Sequence, residues 1–321
     1  MIKKRSFFQD SRVLPLVTRF APSPSGPLHL GHAYAAVVAH EAARASGGRF
    51  LVRIEDLDAG RSREAYETAI LDDLTWLGLS CDEPPLHQSL RNHTYAEALS
   101  QLDALSLIYP CFCTRREIAA EIASVGAAPH LSELGELPPR YPGTCRSLDP
   151  HERERRISQG APHVLRLNCA AAVAHATAHG KWPAQFIEAW AAGPTSQKID
   201  AQPGLWGDIV LGRKDAAASY HLAVVVDDAF SQVNAVTRGE DLLAATHVQV
   251  LLQRLLDLPT PAYGHHTLVR NDTGKRLAKR DQARALSHLR ATGWDKVRVR
   301  AALPPLPDIA QLVRAAEITM R

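Results

Sequence analysis

A chain of 321 residues is long enough for about two domains at roughly 150 residues each, which excludes a hormone-sized peptide or a core-poor mini-scaffold. Hydrophobic residues at 45% and charged residues at 22% match ordinary soluble globular chains and argue against disordered, collagen-like and coiled-coil architectures. The net charge of +3 hides an asymmetry: Arg270 to Arg321 holds twelve Arg or Lys against five Asp or Glu, a distribution that suits a polyanionic partner at one end of the molecule or a solvated basic helix.

No stretch approaches the ~18 to 20 continuous apolar residues that cross a bilayer, and Met1 to Asp10 has no apolar signal core, so a cytoplasmic location is expected. Val17 to Phe20 reads as a short strand. Ala21-Pro-Ser-Pro-Ser-Gly-Pro27 then forms a loop, because its three prolines lack amide donors. Leu30 to Ala45 carries apolar residues at helical spacing and is stopped by Gly47-Gly48. Phe50 to Ile54 has the pattern of a buried parallel strand feeding an acidic turn, Glu55-Asp56-Leu57-Asp58. A helix over Ser62 to Leu77 sets Ile70, Leu71, Leu74 and Leu77 on one face, and Leu79 to His87 reads as a connector. Strand and helix alternate as in a doubly wound α/β domain.

From Cys111 to about His163 the composition turns to Pro, Arg and Cys with weak periodicity, as in an inserted subdomain without a large core. Asp208 to Leu211, Leu222 to Val226 and Val233 to Val236 read as strands continuing the sheet, with Gly239 closing the last. Beyond Asp241 the pattern is helical to the end, through Val248 to Leu256. These shifts divide the chain into 1–110 and 164–245 as two halves of an α/β domain, 111–163 as an insertion, and 246–321 as a helical subdomain.

Two segments suit phosphate. Pro27-Leu-His-Leu-Gly-His32 lies where a loop becomes a helix, so unpaired amides and the dipole favour anions, and imidazoles three residues apart share a face. His29 as a cap with His32 as packing is the competing reading. Asn271 to Arg280 is a basic loop in which Lys275 and Lys279 stand close together, although the whole chain has only eight lysines; taken in isolation it reads more readily as a solvated turn. At strand ends, Arg19, Glu55 and Arg238 are candidates for an amino-acid pocket or for plain surface pairs. Five unevenly spaced cysteines disfavour a disulfide framework. Cys111, Cys113 and Cys145 with a fourth ligand, His130 being the first chemical choice, would close a tetrahedral zinc site, whereas Cys81 and Cys169 read as apolar packing.

His29-Leu-Gly-His32 resembles the first signature of class I aminoacyl-tRNA synthetases, and Lys275-Arg-Leu-Ala-Lys279 resembles their second, with Ala278 where Ser is usual. Thr18-Arg-Phe-Ala-Pro-Ser-Pro-Ser-Gly26 and Arg53-Ile-Glu-Asp-Leu-Asp58 are similar to the glutamyl branch, and the likeness runs from about Val17 to Arg280. The resemblance implies a Rossmann-like catalytic core with a zinc-bearing insertion and a helical C-terminal subdomain. It implies an ATP site of Arg19, Phe20, Ala21, Pro22, Ser23, His29, Gly31, His32 and Lys279, with His29, His32 and Lys279 catalytic and Mg²⁺ on the phosphates. It implies L-glutamate contacts from Arg19, Ser23, Glu55, Tyr220 and Arg238, and a zinc set of Cys111, Cys113, Tyr141 and Cys145. Only about forty residues follow Lys279, which resembles the glutamyl-Q tRNA(Asp) synthetase branch, where glutamate passes to queuosine in tRNA(Asp). A truncated synthetase charging the tRNA 3′ end and a noncatalytic tRNA-binding module are the rival expectations. A monomer satisfies the sequence, and the basic stretch Arg284 to Arg300 is the candidate tRNA-facing surface.

Overall fold

The computed structural model describes residues 14–114, 116–118, 140–191, 193, 195–213, 217–270 and 285–320. Strands β1 (Val17–Phe20), β2 (Arg49–Ile54) and β3 (Leu86–His87) are parallel neighbours in that order. A second set comprises β6 (Gln185–Glu188), β7 (Gln197–Asp200), β9 (Ala235–Gly239) and β10 (Ala262–His266), ordered β7-β6-β10-β9 and parallel except for the β6–β7 pair. The sets meet where β1 and β9 begin: the Asn234 amide donates to Val17 O at 3.2 Å, and the Val17 amide donates to Asn234 Oδ1 at 2.8 Å. The strand order therefore reverses at β1, and the carboxyl ends beside such a switch point are where open α/β sheets bind ligands.

Helix α1 (Leu30–Ala45) covers the junction, burying Ala33, Ala36, Val37 and Ala39. Its Ala-rich inner face lets it lie close to β1. Gly47, at φ +68°, turns the chain after the C-cap Ser46. At Gly48 a Cβ would overlap the Leu16 backbone, so only glycine lets the Arg49 amide reach Leu16 O at 2.9 Å and start β2 beside β1. Phe50, Leu51, Val52 and Ile54 are all buried, each contributing about 1.5–3 kcal/mol on burial. Helix α2 (Glu64–Leu77) buries Ile70, Leu74 and Leu77 as its spacing predicts and stops at Gly78, φ +74°.

Next come α3 (Asn92–Ala104), α4 (Pro150–Ser158) and α5 (Cys169–Ala178). The strands β4 (Ile108–Cys111), β5 (Val164–Leu167) and β8 (Val210–Gly212) form a separate antiparallel sheet. The strand expected over Asp208 to Leu211 thus lies outside the parallel sheet. Leu222 to Val226, expected as a strand, lies within helix α6 (Tyr220–Phe230). Seven successive residues, Leu222 to Asp228, are buried there, so the helix has no polar stripe and its pattern cannot be told from that of a buried strand. Helix α7 (Leu243–Leu255) follows, and β10 then interrupts the stretch read as helical to the end. Strand β10 is five residues long and wholly buried, too short to show a period. Short helices α8 (Leu286–Ala291) and α9 (Lys296–Ala301) and the longer α10 (Ile309–Thr319) complete the described chain. Cys169 is buried as expected, but Cys81 is exposed, in the connector before β3. Among the described residues no helix is long and apolar enough to cross a membrane.

Candidate active site

The loop after β1 is tied to the end of β2 by the Glu55 amide, which donates to Pro22 O at 3.0 Å. It delivers the chain to His29, the N-cap of α1. His29 Nδ1 accepts from the Gly31 amide at 3.1 Å, and His32 Nδ1 accepts from the His29 amide at 3.2 Å, a reciprocal capping box. A ring nitrogen that accepts an amide hydrogen carries no proton, so each neutral ring bears its hydrogen on Nε2. The rings stand 3.8 Å apart between centroids. Capping does not take the rings out of the cleft: both cap the helix and both line the cavity. Gly31 makes room for a histidine, because a Cβ there would stand 2.9 Å from His29 Cε1.

The cavity, about 290 Å³, opens at the carboxyl ends of β1 and β9. It brings together Arg19, Phe20, Ala21, Pro22, Ser23, His29, Gly31, His32, Glu55, Tyr220 and Arg238. Thr237, Asp241, His266, Leu268 and Val269 also line it and were not nominated from the sequence. Lys279 and Ala278 lie outside the described residues. The flanks of their segment are nonetheless fixed here: Val269 lines the cavity, Ala285 forms a β-bridge with His29, and the Leu286 amide donates to Leu28 O at 2.8 Å.

Buried charge under the cavity is closely matched. Asp228 Oδ1 accepts from Arg19 Nε at 3.0 Å and from Arg53 Nη1 at 2.5 Å. Arg53 also donates to Glu55 Oε1 at 3.1 Å, and Arg19 to Thr237 O at 3.2 Å. Burial alone would raise the Asp228 carboxyl, but Arg19 and Arg53 hold it below the usual carboxylate range. Glu55 goes the other way, pushed up by burial against the pull of Arg53. Neighbouring Asp227 accepts from Gln88, Arg91 and Tyr95 at 2.7–2.8 Å, fixing α6 against α3. Arg53 and Asp228 carry no ligand-facing role in the sequence reading. Their signal is a charged residue inside an apolar run, which needs a buried partner.

A second cluster sits where β4 ends. The Sγ atoms of Cys111, Cys113 and Cys145 lie within 4.8 Å of one another, and Cys113 Sγ and Cys145 Sγ are 3.4 Å apart. The Tyr141 hydroxyl is 3.4 Å from Cys113 Sγ and accepts from the Cys145 amide at 2.8 Å. Tetrahedral zinc at ~2.3 Å from each sulfur sets sulfurs about 3.8 Å apart, so three thiolates and a phenol oxygen fit such an ion. Burial pushes the Cys113 thiol up, while hydrogen bonds from Tyr141 and the Phe112 amide outweigh burial and lower Cys145, so a bound cation would be needed chiefly to hold Cys113 as thiolate. His130 lies outside the described residues.

Part of the basic stretch nominated for tRNA is committed within the chain. Arg300 pairs with Glu41 at 2.9 Å, Arg290 lies over Trp76 at 5.0 Å, and Arg298 over Trp294 at 4.4 Å.

The family model of tRNA synthetases class I (E and Q), catalytic domain, matches residues 15–303. The chain is 48% identical over 288 residues to a glutamyl-Q tRNA(Asp) synthetase of Rhodobacter capsulatus, spanning 89% of this chain and 98% of that protein. It is 41% identical over 315 residues to one of Symbiobacterium thermophilum, spanning 94% and 91%. Among solved structures, a glutamate tRNA ligase from Elizabethkingia meningosepticum in complex with its amino acid is similar with a TM-score of 0.65 at 26% identity, over 87% of this chain and 53% of that one. The chain thus spans about half the length of the solved glutamate ligases it matches.

Proposed function

Because the chain belongs to the class I tRNA synthetases (E and Q) and is a ligase of that type, we propose that it joins L-glutamate to ATP as glutamyl-adenylate and passes the glutamyl group to queuosine in tRNA(Asp). The observation that carries this reading is the single cavity lined by the capped histidine pair and by Arg19, Glu55, Tyr220 and Arg238. Glutamate brings two carboxylates and an ammonium. Its side-chain carboxylate meets Arg238 and Tyr220, its ammonium meets Glu55, and Arg19 and Ser23 hold the backbone end. The ammonium adds a second positive charge beside Glu55, whose carboxyl burial raises even against the pull of Arg53.

The α-carboxylate then attacks the α-phosphorus of ATP in line, a P–O bond forms, and pyrophosphate leaves. Phe20, Ala21, Pro22 and Gly31 border the nucleotide, and the Nε2 hydrogens of His29 and His32 donate to phosphate oxygens as charge shifts to the leaving group. Lys279 is assigned the same role by its signature. Mg²⁺ would sit on the phosphates of the bound nucleotide. In the second step a queuosine hydroxyl attacks the carbonyl carbon, its proton passes to solvent, and AMP leaves. Zinc held by Cys111, Cys113, Tyr141 and Cys145 would supply folding energy to the insertion, away from the chemistry.

The queuosine acceptor is supported by the relatives of that name whose length the chain spans almost whole. The test has two stages. Glutamate-dependent pyrophosphate exchange is measured without tRNA; strict dependence on tRNA argues for an ordinary glutamyl synthetase, and no exchange under any condition for a noncatalytic module. Labelled glutamate is then incubated with ATP and tRNA(Asp) with or without queuosine. Label retained after removal of the 3′ end supports the reading, and label lost with the terminal adenosine overturns it.

A further inference from the structure

Arg238 closes the amino-acid side of the cavity with its guanidinium bonded to uncharged acceptors. Nε donates to His265 Nε2 at 3.0 Å, one terminal nitrogen to Thr246 Oγ1 at 2.7 Å, and the other to the Tyr220 hydroxyl at 3.4 Å. Among the described residues no carboxylate pairs with it directly, in contrast to Arg19 and Arg53, which share Asp228. A buried acid behind it, Glu188, stands one imidazole away: its Oε2 is 2.5 Å from His265 Nδ1. Its Oε1 accepts from the amides of Trp190, Ala191 and His265 at 3.0–3.1 Å. Both side chains are completely buried.

This connectivity fixes one proton. Burial acts against the Glu188 charge, but His265 and the backbone amides outweigh it, while burial holds His265 below its usual range. The imidazole is therefore neutral, donates from Nδ1 to Glu188, and turns the Nε2 lone pair to Arg238. A carboxylate bonded directly to Arg238 would neutralise it; a neutral imidazole orients it and leaves its charge.

We propose that Glu188 and His265 are positioning residues that aim Arg238 and keep its charge available for the side-chain carboxylate of the substrate, favouring glutamate over glutamine. The inference rests on the glutamate reading above. Three substitutions test it by pyrophosphate exchange with glutamate and glutamine. In Glu188→Gln the amide oxygen stays with the three backbone donors, so the NH2 group faces Nδ1. The ring must then carry its hydrogen on Nε2, donor against the Arg238 donor. The Michaelis constant for glutamate should rise roughly tenfold or more, the scale of one buried unsatisfied donor, with that for ATP within about twofold and the preference over glutamine narrowed. His265→Asn keeps a donor for Glu188 but loses the acceptor for Arg238, and should behave alike. His265→Gln can return an oxygen to the Nε2 position and should recover most of the affinity.

Circular dichroism and thermal unfolding verify folding, and the two His265 variants decide the matter without Glu188→Gln. Equal shifts for ATP and glutamate, unchanged glutamate constants, or no difference between His265→Asn and His265→Gln would overturn the relay. Failure of the unmodified protein to exchange with glutamate strikes the glutamate reading itself, and the relay with it; failure confined to the variants strikes the relay alone.

Discussion

At the scale of single residues, the cavity-lining groups His29, His32 and Arg19 are legible because they fall in short, ordered motifs. His29, His32 and the Arg19 loop interrupt hydrophobic periodicity with residues that no helix or strand requires. Their supports were not legible: Arg53, Asp228, Glu188 and His265 come from three or more distant segments, and only the fold shows which buried charge meets which. Gly31 tests the motif locally. In Gly31→Ala the new methyl group pushes the His29 ring from its cap, and lost capping costs about 0.5–2 kcal/mol. The Michaelis constant for ATP should rise several-fold more than that for glutamate, read by the same exchange assay. Asp73 makes a separate prediction. Burial pushes its carboxyl up to about 6, against the pull of Arg290. A raised carboxyl costs nothing below its unfolded value and costs increasingly as pH rises from about 4 through about 6. Asp73→Asn should therefore stabilise the chain by about 1–3 kcal/mol at pH 7.5 and by nothing near pH 4, measured by urea unfolding at both.

At the scale of elements, β1, α1, β2 and α2 follow the sequence expectation to within about two residues, since each is long or strongly bounded. Two of the exceptions share one cause. Helix α6 and strand β10 are buried on every side, so neither shows the one-sided pattern that identifies a surface element. Apolar packing of Leu222 to Val226 and buried charge together set α6 in place: Asp227 faces Arg91 and Tyr95, and Asp228 faces Arg19 and Arg53. Asp228→Ala leaves two buried guanidinium groups without their shared acceptor. Removing one partner of a buried pair costs about 3–5 kcal/mol, and the urea midpoint should fall accordingly. The native pair has a pH signature too. Asp228 is held below its unfolded value, so its contribution is complete above about pH 4 and is lost as pH falls through the folded value. The Ala variant should lack that acid-side loss.

At the scale of the molecule, the reversal of strand order at β1 gathers the cavity at one end of the sheet, while excess positive charge belongs to the last fifty or so residues. The two proposed steps therefore depend on different electrostatics. Binding a tRNA neutralises several phosphates and releases counter-ions, so affinity falls steeply with salt, by ten-fold or more for a handful of contacts between about 50 and about 200 mM. The adenylate step uses partly buried contacts in a cavity, which salt screens far less. Not every cation in the basic stretch is available to phosphate, since Arg300 is paired with Glu41 and Arg290 and Arg298 lie over tryptophans. The salt slope for transfer should accordingly report fewer phosphate contacts than the count of basic residues suggests. Arg300→Gln should lower that slope by less than one contact, because its charge is already shared with Glu41. The check is to titrate potassium chloride in both assays. Transfer to tRNA should collapse while pyrophosphate exchange changes by no more than about two-fold. Parallel decline of both would mean that the basic face and the cavity act as one site, and the separation of the two steps would have to be abandoned.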